Sequence, residues 1–282
     1  MQTPSTPATG LTLTGSDGAR LVASAFGGQI LGWTPAGTDV DRLWLSPLAA
    51  PVHGALRGGV QVIFPQFSTR GPLPRHGLVR SRPWQLLPAP AGPGSPDGAA
   101  AVRFEIRDDE QTRQLWPHGF TLRIAASAAG DRLELRLEAV NEGEDDLDFT
   151  AALHAYLRVG DTAAASVEGL GGHRAEDNAR AGAALRLPAG SLPAAGPVDL
   201  AVREATGPVV VRDPVLGDLT VLAEGFADRV VWNPGAGHGL ADVPEGGERE
   251  FVCVEPAVLH PYRLPPHQTW TATMTLLAHS PR

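Results

Sequence analysis

Two short segments carry side chains able to move protons. In residues 148–156 the two-residue period of an extended chain sends Phe149, Ala151, Leu153 and Ala155 to one face, and Thr150, Ala152, His154 and Tyr156 to the other. An imidazole on that second face either braces the sheet or, facing a hollow, exchanges protons near neutral pH. In residues 251–255 Phe251, Cys253 and Glu255 share a face, Val252 and Val254 oppose them, and Pro256 is expected to end the strand. A carboxylate closing an otherwise apolar run must be ion-paired with an arginine, hydrogen-bonded or functional, because burying it alone is costly.

A third segment is built for an anion. From Arg42 to Pro96 the chain runs 55 residues without Asp or Glu, yet holds six arginines: Arg42, Arg57, Arg70, Arg75, Arg80 and Arg82. At the overall frequency of 31 acidic residues in 282, about six would be expected there, so the stretch predicts a local positive field kept from neutralisation.

Composition narrows the partner. A net charge of −8 argues against nucleic acid and anionic membranes. All 23 basic residues are arginine, which removes Schiff-base, pyridoxal-phosphate and P-loop lysine chemistry. Cys253 is the only cysteine, so no intrachain disulfide and no thiolate cluster for zinc or iron–sulfur is expected, and the histidines lack trustworthy metal-ligand spacing. No metal site and no cofactor is predicted. The first ten residues show no basic region followed by an apolar run, and no segment approaches 18 apolar residues. These readings predict a cytoplasmic, monomeric protein acting on a small molecule.

The elements that must hold these residues read as strands. Thirty-three glycines and 26 prolines leave little room for long helices. Leu133, Leu135, Leu137 and Ala139 alternate with charged residues; so do Val102, Phe104 and Ile106; and Trp270, Ala272, Met274 and Leu276 alternate with threonines. Ser16-Asp17-Gly18 predicts an opening hairpin turn, and the Pro/Gly-rich 88–100 a long hairpin loop. Ala-rich 175–186 and 199–205 are expected as short helices. The organisation expected is a flexible N-terminus over 1–10 and one all-β, mainly antiparallel sandwich over 11–282.

Six segments in order, RGGVQVIFPQF (57–67), LPRHGLVRSRPW (73–84), WPHGFTL (116–122), ALHAYLRVGD (152–161), VVWNPG (230–235) and FVCVEPA (251–257), resemble the glucose-6-phosphate 1-epimerases. These are hexose-6-phosphate mutarotases of the galactose mutarotase-like superfamily, and the resemblance runs from about Leu31 to Leu277. It implies a β-supersandwich with a few short helices, His154 as general acid and Glu255 as general base. It also implies substrate contacts from Arg57, Arg80, Arg75, His76 and Asp199, with Trp232 and Asn233 shaping the pocket wall. The implied reaction interconverts the α and β anomers of hexose 6-phosphates, glucose 6-phosphate foremost, by ring opening and reclosure. A mutarotase for unphosphorylated aldoses and a non-catalytic sugar-binding sandwich are the alternatives.

Overall fold

The computed structural model describes residues 10–48, 55–88 and 98–281; most of the expected flexible N-terminus and the tip of the 88–100 loop lie outside them. Alternation of apolar and polar residues builds two antiparallel sheets, of ten and nine strands among the described residues. In the second sheet Thr269–Ala278, Arg132–Asn141, Phe120–Ala129 and Ala100–Arg107 lie side by side. Their inward residues, including Leu133, Leu135, Leu137, Val102, Phe104, Ala272 and Met274, join one continuous core with the inner face of the first sheet. The opening hairpin forms as expected: Leu11–Thr14 pairs with Arg20–Ser24, Gly18 takes φ 89°, and the Asp17 carboxylate accepts from the Ala19 N–H at 2.9 Å. Gln85–Leu87 pairs antiparallel with Ala100–Arg107, so the 88–100 segment joins a hairpin.

The first sheet carries the candidate site. Its central strands run in the order Val60–Ile63, Leu147–Arg158, Phe251–Leu264, Asp228–Asn233, Val198–Val202 and Arg174–Asp177. Phe149, Ala151, Leu153, Ala155, Val252 and Val254 face the inter-sheet core. The opposite face is not left to water. Ile63, Phe67, Ala152, Val230 and Ala257 form one small apolar cluster there, and Trp44, Tyr156, Val243, Phe251 and Cys253 form another. Connecting segments laid over this outer face turn it into a concavity.

Two expectations are corrected. The Ala-rich segments are strands: Arg174–Asp177 and Ala183–Arg186 form a hairpin around a short 3₁₀ turn, and Val198–Val202 is a sheet strand. Helices this short are marginal alone, whereas the sheet offers backbone partners and burial of Ala175 and Val202. Pro256 does not end its strand, which continues to Leu264. Pairing to the neighbouring Leu147–Arg158 strand lapses after Cys253 and resumes in the same register at Ala257, the gap spanning the residue that has no N–H to give. The single α-helix among the described residues, Glu110–Leu115, is short and starts at a capping box between Asp109 and Thr112. No helix among the described residues is long and apolar enough to cross a membrane.

Candidate active site

Strand pairing brings His154 and Glu255 together. The register that sets Cys253 opposite Tyr156 and Ala257 opposite Ala152 places Glu255 across from His154, on the face away from the core. His154 Nδ1 stands 3.4 Å from Glu255 Oε1. Both side chains are buried, 8% and 2% exposed, and neither His154 Nδ1 nor Glu255 Oε2 has a hydrogen-bond partner among the described residues. The His154 ring stacks on Tyr156, two residues along the same face, at 4.7 Å and 3°. Gln61 lies opposite His154 on the other neighbouring strand.

All seven residues singled out from the sequence, His154, Glu255, Arg57, Arg75, His76, Arg80 and Asp199, line one cavity of about 590 Å³. That is room for a monosaccharide and a phosphate, within the usual range of small-molecule sites. Trp232 also lines it, whereas Asn233 does not. Asn233 is buried behind the wall, donating to the Glu248 and Phe251 carbonyls and accepting from the Gly196 and Gly235 N–H groups.

The loop following Val60–Ile63 carries the cavity's basic side. Phe67 N–H donates to Thr150 Oγ1 at 2.7 Å, and the Gln66 amide bridges Ser68 and Leu73, pinning the loop to the strand that bears His154. His76 takes φ 67°, and its ring lies 5.7 Å from that of His154. A Cβ on the following Gly77 would meet the Phe64 carbonyl oxygen at 2.2 Å, so only glycine permits this approach.

The arginines are not all free, which corrects the expectation of an unneutralised stretch. Distant carboxylates reach three of them: Asp242 meets Arg57 at 3.0 Å, Glu176 meets Arg70 at 2.6 Å and Asp109 meets Arg82 at 2.7 Å. Arg42 is buried elsewhere, donating to the Leu216 and Gly217 carbonyls. Arg75 and Arg80 have no ion-pair partner among the described residues; Arg80 instead donates to Gln61 Oε1 and the Arg75 carbonyl. Asp242, Gln61 and Asn178, whose amide donates to Asp199 at 2.7 Å, went unrecognised in the sequence. Gln61 could have been found from its position in the RGGVQVIF run beside Arg57; Asp242 and Asn178 sit in turns with no pattern.

Burial dominates the electrostatics. It pushes the Glu255 carboxyl well above the ordinary range, helped by Asp199 and opposed by Arg75 and Arg80. Burial likewise pushes the His154 imidazole well below its ordinary value, with His76, Arg57 and Arg80 acting in the same direction. His76 is pushed down to about 2 and Arg80 to about 10 by burial first and neighbouring cations second, although Tyr156 and Asp242 favour the Arg80 charge. Burial works against the Arg57 charge as well, yet Tyr156 and Asp242 overcome it and hold the group above its usual value. Burial raises Asp199, with the Asn178 hydrogen bond opposing. In the open cavity both shifts thus disfavour the charged forms of His154 and Glu255.

A paired imidazole and carboxyl in a sugar-sized hollow is one observation; the sequence comparison supplies the other. The sequence pattern of the family described as aldose 1-epimerase matches residues 10–277. The chain belongs to the aldose 1-epimerase family. Within it, this family member is 35% identical over 237 residues to a protein of Escherichia coli (strain K12) named "Putative glucose-6-phosphate 1-epimerase", covering 82% of the chain and 77% of that relative. A relative of the same name from Cenchrus ciliaris is 30% identical over 262 residues, covering 90% and 79%. The crystal structure of a Salmonella typhimurium protein described as a "putative mutarotase (YeaD)" superposes with a TM-score of 0.82 at 30% identity, over 93% of this chain and 88% of that one. A galactose mutarotase related enzyme from Lactobacillus acidophilus shares the fold at 14% identity, with a TM-score of 0.75 over 97% and 98% of the two chains. The aldose 1-epimerase family member thus has the galactose mutarotase-like β-sandwich.

Proposed function

We propose that this chain interconverts the α and β anomers of hexose 6-phosphates, glucose 6-phosphate foremost, by general acid–base ring opening. The observation that carries the reading is the buried His154–Glu255 pair facing a cavity whose basic side holds Arg75 and Arg80 without carboxylate partners. The relatives named for glucose-6-phosphate 1-epimerase point the same way.

The chemistry balances on the single proton of the pair. With the cyclic sugar bound, His154 is the imidazolium and Glu255 the carboxylate. Glu255 takes the proton of the anomeric hydroxyl O1 while His154 gives its proton to the ring oxygen O5, and the C1–O5 bond breaks to leave an open-chain aldehyde. His154 is now neutral and Glu255 protonated. Rotation about C1–C2 presents the other carbonyl face; O5 re-attacks C1, its proton returns to His154, and Glu255 reprotonates O1. Nothing is oxidised or reduced, so the cycle asks for no redox cofactor. Each well-placed acid or base contributes about 10²–10⁴-fold.

The phosphate has two tasks in this reading. Guanidinium groups of Arg75, Arg80 and the remaining N–H groups of Arg57 hold the dianion. The dianion in turn offsets the arginine charges that, after burial, depress His154, and so favours the imidazolium needed for ring opening. His76 and Asp199 are placed to contact sugar hydroxyls. The proposed working unit is a cytoplasmic monomer, and the net charge of −8 argues against a nucleic-acid or membrane partner.

A second reading, turnover of unphosphorylated aldoses, is favoured by one observation: Asp242 already meets the Arg57 charge. Polarimetry or exchange NMR on freshly dissolved α-glucose 6-phosphate and α-glucose separates the two. Faster equilibration of the phosphorylated sugar is expected; equal catalysis of both would overturn the phosphate assignment, and no acceleration of either would overturn the catalytic one.

A further inference from the structure

His154, Cys253 and Glu255 present a ring nitrogen, a thiol sulfur and a carboxylate oxygen that all lie within 4.8 Å of one another. Cys253 and Glu255 point the same way because they are two residues apart on one strand, and the adjoining strand brings His154 across to them. The cysteine is fully buried, and His154 Nδ1 and Glu255 Oε2 are buried without hydrogen-bond partners among the described residues. Sequence spacing hides this trio, since 99 residues separate His154 from Cys253. Strand pairing, not a local motif, assembles it, which is why no metal site was expected.

Tetrahedral zinc holds nitrogen, oxygen and sulfur ligands at about 2.0–2.3 Å, which sets them roughly 3.3–3.8 Å from one another. The His154–Glu255 edge at 3.4 Å already has that length, and since no edge of the trio exceeds 4.8 Å the others close by at most about 1.3 Å, a side-chain adjustment. A thiolate, an imidazole and a carboxylate suit a borderline cation such as Zn²⁺ or Co²⁺ and not Mg²⁺ or Ca²⁺, which take oxygen ligands.

The geometry points to a second ligand for this site: a borderline divalent cation, Zn²⁺ foremost, bound by His154, Cys253 and Glu255 with solvent in the fourth position. Its consequence rests on the proposed function, because a cation held there occupies both proton-transfer groups and blocks anomer exchange. Binding itself does not depend on that function. The cation displaces the Cys253 thiol proton and any proton held on the Glu255 carboxyl, and takes His154 through the lone pair of its neutral imidazole, so binding releases protons to solvent.

The test uses the full chain, reduced and freed of metal, titrated with Co²⁺. A thiolate-to-cobalt charge-transfer band saturating at one equivalent is expected, and with one cysteine in the chain it can arise only from Cys253. The band is expected to vanish in Cys253→Ala and to weaken or shift in His154→Ala and Glu255→Gln; Cys253→Val, closer in volume, serves if the alanine variant folds poorly. For Zn²⁺, inhibition competitive with the sugar phosphate is expected, with the half-inhibitory concentration more than about tenfold higher in the Cys253 variants, since losing a ligand outweighs losing an outer-shell partner. Absence of the band in the folded protein, a band indifferent to His154→Ala, or Zn²⁺ inhibition unchanged by loss of Cys253 would each overturn the site. If the chain fails to turn over any sugar, the cobalt spectrum still decides the metal question, so the two readings fail separately.

Discussion

Arg57 and Asp242, 185 residues apart, are joined by a 3.0 Å ion pair whose carboxylate side chain is only 6% exposed. The same guanidinium donates to the Tyr156 hydroxyl at 3.0 Å, so Arg57 is held from two sides with its remaining N–H groups left for a ligand. Asp242 is therefore a positioning residue for Arg57. We expect Asp242→Ala to raise KM for the hexose 6-phosphate roughly tenfold, the value of one charge-assisted hydrogen bond of about 1.5–3 kcal/mol partly recovered by water, with kcat nearly unchanged. Asp242→Asn, which keeps an acceptor, should restore most of the loss. Steady-state kinetics that show kcat falling instead of KM rising would assign Asp242 another role.

Glu255→Gln keeps the shape of the cavity floor and removes the base. Anomer exchange by the variant should fall by about 10²–10⁴-fold while phosphosugar binding stays measurable by calorimetry. Undiminished exchange would remove Glu255 from the reaction.

Charge around His154 gives a pH prediction with a definite sign. Burial first, then His76 and the cations Arg57 and Arg80, hold its pKa below the ordinary 6.5, so in the free protein the imidazolium forms only on acidification below that value. A dianion near the arginines stabilises the imidazolium and must move the midpoint upward. Sulfate, which stays dianionic across the range, makes a clean probe: NMR titration of the His154 ring with and without it should show the rise. A midpoint indifferent to sulfate would uncouple the arginines from the acid.

Arg80 and Gln61 form a comparable pair, with Gln61 accepting from Arg80 at 3.1 Å and donating to the Leu56 carbonyl at 2.7 Å. Gln61→Leu leaves the guanidinium held only by its longer hydrogen bond to the Arg75 carbonyl. Turnover of the free sugar should change less than turnover of the phosphorylated one, and parallel losses on both substrates would contradict a phosphate role for Arg80.

Stability is expected to reside far from the chemistry. Leu135, 1% exposed in the second sheet, packs in the shared core, so Leu135→Ala should cost about 2–5 kcal/mol in denaturant unfolding while the folded fraction keeps its kcat.

Much of this was legible in the primary structure because a strand's period of two is unforgiving. Alternation alone put His154 and Glu255 on the faces opposite Leu153 and Val254, and the structure keeps all four where the pattern sent them. Which strands would be neighbours was beyond that reach, since pairing is a tertiary choice, so the Cys253 contact stayed hidden. Alanine misled at 175–186 and 199–205: its helix propensity is a fraction of a kcal/mol per residue, less than a sheet edge and a buried face return. Pro256 misled for a related reason, as a strand tolerates it where the ladder on that side lapses. The arginine stretch was read as free of carboxylates because Asp242 and Glu176 arrive from remote turns and strands that no local window contains.

The strand Leu147–Arg158 is covered on both faces, by the inter-sheet core beneath and by the aromatic and loop layer above. The proposed acid, His154, is thus anchored on a strand packed from both sides, while the cavity-lining residues within 67–76 and 178–182 and at Leu240 hang from separate stretches of chain. A scaffold divided this way can exchange its sugar preference by remodelling those overhangs one at a time, leaving the proton-transfer machinery untouched.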